Sequence, residues 1–272
     1  MDRIREMLES RGIDISAAIK LSDSLIIKKH KILRAGFDEK SQLYAVVFAV
    51  PYLTDSGDKN LSAYAVPRDY HLFFKELFSS LIPTLKEEFS SYTFSGFADD
   101  SPIDERTAAL IGGLGILGDN GLMITTKYSS FIFLGEIITD MPLDTVEYEI
   151  QKCEGCGKCA AACPKEECGD CLSALTQRKG ELSEEEKQYV LKYGSVWGCD
   201  ICQEVCPHTA RAKKQGTIYT NIDFFKEKLT PILTSSTVDA MSDEDFSERA
   251  YSWRKRETIR RNLLLFEESS KK

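Results

Sequence analysis

All nine cysteines of the chain fall between Cys153 and Cys206, with none in the first 152 residues or the last 66. A disulfide framework belongs to small secreted domains, whereas thiols clustered in one segment of a longer intracellular chain more often bind metal. The context here favours the second reading. Met1 to Arg11 is charged and helix-like, and the sequence holds no apolar run of 18 residues, so neither a signal peptide nor a membrane span is expected, and the location expected is cytoplasmic. With 35 Lys and Arg against 43 Asp and Glu the net charge is −8. That excludes a generally basic nucleic-acid binder, so a polyanionic partner would have to be met by a local patch.

Within the cysteine segment, Cys153, Cys156, Cys159 and Cys163-Pro164 spell C-x2-C-x2-C-x3-C-P, the bacterial ferredoxin run whose fourth cysteine ligates the other cluster in two-cluster proteins. Cys199, Cys202 and Cys206-Pro207 repeat it one cysteine short. Two-residue spacings let consecutive thiolates converge on one cluster face, while a residue before proline leaves the helix and reaches across to a neighbouring cluster. One [4Fe-4S] cluster is then expected on Cys153, Cys156, Cys159 and Cys206. The second takes Cys163, Cys199, Cys202 and either Cys168 or Cys171. Structural zinc favours two separated C-x2-C pairs and leaves three-cysteine runs ending in Cys-Pro unexplained.

The rest of the chain reads as alternating elements. LYAVVFAVPY, Leu43 to Tyr52, is apolar, β-branched and closed by proline, a buried strand. Between Asp69 and Phe89 the apolar residues recur at three- and four-residue spacing, an amphipathic helix. Strands are expected at Tyr92 to Phe97, Leu122 to Thr125 and Phe131 to Ile138, with a helix at Ile103 to Ile111. This predicts an α/β (α+β) domain over 1–148, an iron–sulfur domain over 149–210 and a helical segment over 211–272. The middle region carries a helix at Ser183 to Tyr193, opened by a Ser183/Glu186 capping box. Helices are also expected at Ile222 to Leu229 and Asp243 to Phe266. From Pro207 onward 13 Lys and Arg face 10 Asp and Glu, a net +3 inside an acidic chain.

Gly113, Gly115 and Gly118 match G-x-G-x-x-G, but a dinucleotide site needs strand before and helix after, and here TAALI reads as helix and GLMITT as strand. The glycines instead make a turn or let backbone approach something flat. Phe97-Ala-Asp-Asp-Ser-Pro102 sets Asp99 and Asp100 at a strand end, where sites gather, although capping of the next helix by either acid is the plainer reading. His71 reads as an ordinary helix histidine, and His208 is close enough to Cys206 to tune a cluster by hydrogen bonding.

These stretches together resemble the epoxyqueuosine reductase family. The resemblance lies in GCDICQEVCP from Gly198 to Pro207, CLSALT from Cys171, Tyr64-Ala65 through Arg68-Asp69-Tyr70-His71, Phe97 to Pro102, Gly113-Leu-Gly-Ile-Leu-Gly-Asp-Asn, and Phe133-Leu-Gly-Glu-Ile-Ile-Thr-Asp140, and it spans about residues 1 to 265. It implies a cobalamin enzyme with two [4Fe-4S] clusters, a nitroreductase-like cobalamin domain beside a ferredoxin-like domain, and reduction of epoxyqueuosine to queuosine in tRNA with electrons from an external donor. It implies Cys171 as the eighth ligand with Cys168 as the extra, and Asp99 as the proton donor and a cofactor neighbour. A carboxyl buried beside the corrin would be raised by desolvation. Tyr64, Arg68, Gly115 and Leu134 are the corrin contacts implied.

Three departures stand out. Asp100 occupies a position where the family has a small residue, Ile116 and Asp119 replace a tryptophan and a lysine, and the sequence stops ten residues after Arg261-Asn262, where the family runs on into helical repeats. The expectation is a short member that meets tRNA through Arg254, Lys255, Arg256, Arg260 and Arg261, with Arg211, Lys213 and Lys214. The alternatives are a corrinoid iron–sulfur reductase acting on another substrate or partner protein, and a ferredoxin-type electron carrier.

Overall fold

The computed structural model describes residues 1–269, and the side chain of Cys168, read above as the extra cysteine, lies outside the described residues. In chain order the helices and strands are α1 (Asp2–Glu9), β1 (Ile15–Lys20), α2 (Lys29–Arg34), β2 (Tyr44–Pro51), α3 (Tyr70–Glu88), β3 (Phe94–Phe97), α4 (Glu105–Ile111), β4 (Ile116–Leu117), β5 (Met123–Ile124), β6 (Ile132–Thr139), α5 (Lys158–Ala162), α6 (Lys165–Cys168), α7 (Leu172–Gln177), α8 (Glu184–Tyr193), α9 (Ile201–Glu204), α10 (Pro207–Gln215), α11 (Ser235–Ala240), α12 (Asp243–Ser247) and α13 (Lys255–Ser269). No helix among the described residues is long and apolar enough to cross a membrane.

They fall into two compact units that do not follow chain order. The first comprises Met1–Pro51, Tyr70–Cys156 and Arg211–Ile222; the second takes the described residues of Tyr52–Asp69, Gly157–Ala210 and Asp223–Lys272. Tyr52–Asp69, which the sequence places with the first domain, therefore belongs with most of the cysteines.

In the first unit a four-stranded sheet runs β1-β2-β6-β3, and each neighbouring pair is antiparallel. The alternation of strands and helices thus resolves to the α+β form and not to a parallel sheet. Every residue of β2 from Ala45 onward is buried, as a central strand covered on both faces requires. Val47, Ala49 and Ile138 join Ile19, Leu110 and Leu114 in one core cluster. Phe48 meets the rings of Phe74 and Phe78 on α3, 6.3 and 6.4 Å away. Gly96 on β3 lets Phe78 in: a Cβ there would lie 2.1 Å from the Phe78 ring, and that ring is already stacked on Phe74 at 5.7 Å. Gly96→Ala is therefore expected to destabilise by about 2 kcal/mol through overpacking, read as a fall of about 5 °C in melting temperature; an unchanged melting curve would count against this packing.

The second unit is helical. Its main core gathers Leu61, Val66, Trp197, Val238, Tyr251, Ile259 and Leu263, and Leu172, Leu182 and Val190 form a smaller cluster beneath α8. The Ser183/Glu186 capping box is present at the start of that helix. Two sequence expectations give way here. Ile222 to Leu229 forms only a 3-10 turn, Asp223–Lys226, and Lys228 takes φ 48°, which interrupts helical backbone before Leu229. Asp243 to Phe266 is not one helix either. Ser242 caps a five-residue α12, a 3-10 turn follows at Ser252–Arg254, and Lys255 takes φ 66°, a left-handed residue that breaks helical continuity.

Candidate active site and cysteine centre

β3 ends at Phe97, and two residues later Asp99 adopts φ 62°, a left-handed conformation that aspartate tolerates better than most residues. The turn points the Asp99 carboxyl at His71 near the start of α3, whose Nε2 lies 3.2 Å from Asp99 Oδ2. The His71 ring stacks on Tyr70 at 4.1 Å, and Tyr70 stacks on Phe133 of β6 at 4.2 Å. This ladder of rings fixes the imidazole against the sheet. The hydrogen bond from His71 holds the Asp99 carboxyl below the usual carboxylate range, outweighing the upward push of burial. The expected rise by desolvation is thus not what the chain by itself produces, because the side chain is 59% exposed and has a histidine partner.

Neither Asp99 nor Asp100 caps α4. Asp104 does, accepting from the Thr107 N–H at 3.1 Å. Asp100 instead pairs with Lys28 at 2.6 Å and with Lys31, and the two lysines bring its carboxyl down to about 2. The N–H groups of Ile27 and Lys28 both donate to Pro102 O, at 2.9 and 3.0 Å, so the segment before α2 holds the chain that follows Asp99.

Two further carboxyls stand behind it. The Asp99 N–H donates to Glu105 Oε2 at 3.2 Å, and Glu136 on β6 is fully buried, with Oε1 accepting from the Ser101 hydroxyl. Burial, then the Asp99 charge, pushes Glu105 up to about 7. Burial raises Glu136 well above its ordinary value. The sequence reading passed over both residues, because an acid in the first helical turn and a lone acid in an apolar strand carry no pattern. An acid raised in the folded state stabilises fully below its unfolded value, near 4.5, and that contribution is lost as pH rises through about 7. The chain should therefore lose roughly 2 to 3 kcal/mol between about pH 5 and pH 8 through Glu105. Denaturant titrations at the two pH values check this, and Glu105→Gln should flatten the difference.

The glycine loop is a hairpin, β4 against β5. A Cβ on Gly115 would sit 2.4 Å from Ile124 O, so hairpin closure alone requires glycine there. Its edge carries the first cysteine: Leu117 N–H donates to Gln151 O at 2.8 Å and Cys153 N–H to Leu117 O at 2.9 Å. The other expected corrin contacts also have internal partners. Tyr64 accepts from Trp197 Nε1 at 2.9 Å, Arg68 lies 4.3 Å over the Phe224 ring and 3.5 Å from Glu248, and Leu134 packs against the first unit's core. Leu134, Phe133 and Tyr70 stay partly exposed. They bring apolar and aromatic surface to the sheet region that carries Asp99, a lining whose chemistry fits a flat macrocycle beside an acid.

Eight cysteines are free thiols. Cys153 and Cys156 close the first unit's central segment, and the other six lie in the second. There Cys163 ends α5 in extended backbone just before Pro164, and Cys171 caps α7. Burial pushes the Cys199 thiol up to about 11, and Cys171 and Cys202 act in the same direction. No group of three or more His, Cys, Asp or Glu side chains closes around a single ion among the described residues. The donor set is all thiol, the soft chemistry that suits iron–sulfur clusters.

The basic C-terminal segment is largely engaged inside its own unit. Arg256 donates to Met241 O at 2.8 Å and Ser242 O at 2.9 Å and covers the Phe246 ring. Arg260 grips Asp239 with both bonds near 3 Å, and Arg261 binds the carbonyls of Arg178 and Gly180. These three arginines build the fold, which narrows the charge expected to face RNA to Arg254, Lys255 and the exposed cations of α10.

Fold and site together define a thiol-rich protein of mixed helix and strand. No protein-family model matches the chain. It is 31% identical over 219 residues to the epoxyqueuosine reductase of Synechocystis, covering 76% of this chain and 75% of that one, and 31% identical over 218 residues to that of Bacillus cereus, covering 73% and 54%. The chain belongs to the epoxyqueuosine reductase family. It matches only about half the length of the Bacillus cereus relative. Among solved structures, an epoxyqueuosine reductase with an epoxyqueuosine-modified tRNA-Tyr stem loop shares the fold, with TM-score 0.75 and 24% identity over 97% of this chain and 80% of that one. The Streptococcus thermophilus enzyme does so at TM-score 0.72 and 22% identity, with the same coverage.

Proposed function

We propose that the chain reduces epoxyqueuosine to queuosine in tRNA, with Asp99 as proton donor and two [4Fe-4S] clusters and cobalamin as cofactors. The observation that carries this reading is the Asp99 turn: a carboxyl set by a left-handed residue at a strand end and hydrogen-bonded to His71, in a chain of this family. Cys153, Cys156, Cys159 and Cys206 would hold one cluster and Cys163, Cys171, Cys199 and Cys202 the other. Tyr64, Arg68, Gly115 and Leu134 would border the corrin. When bound, the corrin supplies a strongly reducing centre for the substrate carbon.

The residues of the chain do the remaining work. His71 orients the Asp99 carboxyl, and the Asp100 pairs with Lys28 and Lys31 steady the turn. A substrate covering Asp99 removes its water, which favours the protonated form needed to protonate the opened oxygen. Electrons come from an external low-potential donor, and RNA charge is met by Arg254, Lys255, Arg211, Lys213 and Lys214, so binding weakens steeply with salt. The test is anaerobic reconstitution with iron, sulfide and cobalamin, then a reductant-driven assay on epoxyqueuosine-containing tRNA with nucleosides read by mass spectrometry. Conversion to queuosine supports the proposal; cofactors bound without conversion point to another substrate.

A further inference from the structure

Reducing an epoxide to an alkene breaks both C–O bonds, forms the C=C bond and releases the oxygen as water, at the cost of two electrons and two protons. A low-potential one-electron donor delivers the electrons in two steps, but both protons must reach the same oxygen. Asp99 carries at most one. In the uncovered site, moreover, His71 holds its carboxyl toward the ionised form, so a neutral acid has to stand close by.

We infer that Glu105 is that acid: a positioning residue that stores a proton behind Asp99 and recharges it as Asp99 protonates the opened oxygen. The inference rests on the epoxide-reducing function proposed above. Its basis is the arrangement of three carboxyls on three elements. Glu105 leaves the first turn of α4 and accepts the Asp99 N–H at 3.2 Å, so the same side chain fixes the turn and lies within reach of the Asp99 charge. Behind it Glu136 is 0% exposed, with Oε1 bonded to Ser101 and Oε2 without a hydrogen-bond partner. A buried, half-partnered carboxyl is stable only when neutral. Three acids in one place cannot all ionise, and the exposed Asp99 takes the negative charge while Glu136 stays protonated.

Glu105 lies between these extremes. The charged and titratable groups facing it are Asp99 after β3, Asp104 at its own helix cap, Glu136 on β6 and Lys28 before α2; the Asp99 N–H and Lys28 favour its ionised form, but burial and the Asp99 and Asp104 charges outweigh them, and Lys28 is already paired with Asp100. Near neutral pH Glu105 therefore still holds a proton, screened from water. Transfer from such an acid to an alkoxide is strongly downhill, and Asp99 serves as the conduit: as it gives its proton to the oxygen it takes one from Glu105, and the pair delivers two. His71 touches the same carboxyl, but it is half-exposed and its proton exchanges with solvent.

The test uses the reconstituted protein with Glu105→Gln and Glu105→Asp. Glutamine keeps the size and an acceptor for the Asp99 N–H, but has no proton to give. The kcat of E105Q should fall about a hundredfold with KM within about twofold, and the decline of kcat above about pH 7 should disappear. E105D should recover part of the rate and of the decline. Infrared difference spectra should show a protonated-carboxyl band that is lost near pH 7, absent from E105Q, with a midpoint that falls in Asp99→Asn because the charge holding it up is gone. This arm needs no turnover, so an inactive wild type with the coupled band places the failure in the substrate assignment and still supports the store. A wild-type kcat and pH profile in E105Q, a band that titrates with ordinary carboxylates, or a midpoint indifferent to Asp99→Asn overturns the inference.

Discussion

Asp99→Asn is expected to lower turnover by about a hundred- to ten-thousandfold, the range in which a positioned proton donor contributes, while iron and cobalamin content stay at wild-type levels. Asparagine tolerates left-handed backbone about as well as aspartate, so the turn at φ 62° should persist. The amide can still meet His71 Nε2, and the grip of Lys28 and Lys31 on Asp100 is untouched. What is lost is the carboxyl that carries a proton to the leaving oxygen. Ultraviolet–visible spectra and metal analysis check cofactor retention, and nucleoside mass spectrometry reads the product. Turnover within about threefold of wild type would remove Asp99 from the mechanism.

Asn262→Ala is expected to cost about 3 to 5 kcal/mol. The side chain is completely buried, and its amide donates at 2.8 Å to both Thr176 O and Val196 O. Its oxygen accepts from Arg261 Nε at 3.0 Å and Nη2 at 2.8 Å. Alanine would leave two buried carbonyls and a guanidinium short of partners, each worth about 1 to 3 kcal/mol. For a chain of this size that corresponds to a melting temperature lower by roughly 10 °C. Neutralising Arg256 or Arg261 should act in the same way, as a loss of stability, whereas Arg254→Ala should weaken RNA binding without a comparable thermal shift. Equal stability in N262A would show that α13 is held by its apolar face alone.

The sequence carried the central strands, the long helix and the capped α8 because each repeats a physical pattern over many residues: β2 is apolar throughout, α3 keeps its three- and four-residue spacing, and Ser183 with Glu186 is a local signal. β1 and α2 went unseen, since ISAAIK and KHKILR are too short and mixed for periodicity to speak. The C-terminal helix resolves into shorter pieces because Lys255 takes φ 66° and shows no left-handed preference of its own that a sequence could reveal. Asp99 was legible through its strand end and the family motif. Its chemistry was not, since His71, Glu105 and Glu136 come from three separate elements and meet only in the fold. The arginines of the last segment looked like a surface for RNA because composition shows charge and not the carbonyls that charge will bind.

The division of the chain into interleaved units also bears on how the protein is made. The first unit is not complete until Ile222 has emerged, because Ile222 packs within 2.9 Å of the Cβ position at Gly12, and Thr217 donates to Lys127 O at 2.9 Å. The second begins with Tyr52–Asp69, which must wait for Trp197 to accept Ser62 N–H at 2.8 Å. Long sequence separation slows such closures. A ribosome delivering this chain therefore cannot release one finished unit before starting the next, and a shortened gene ending near residue 210 would cripple both at once.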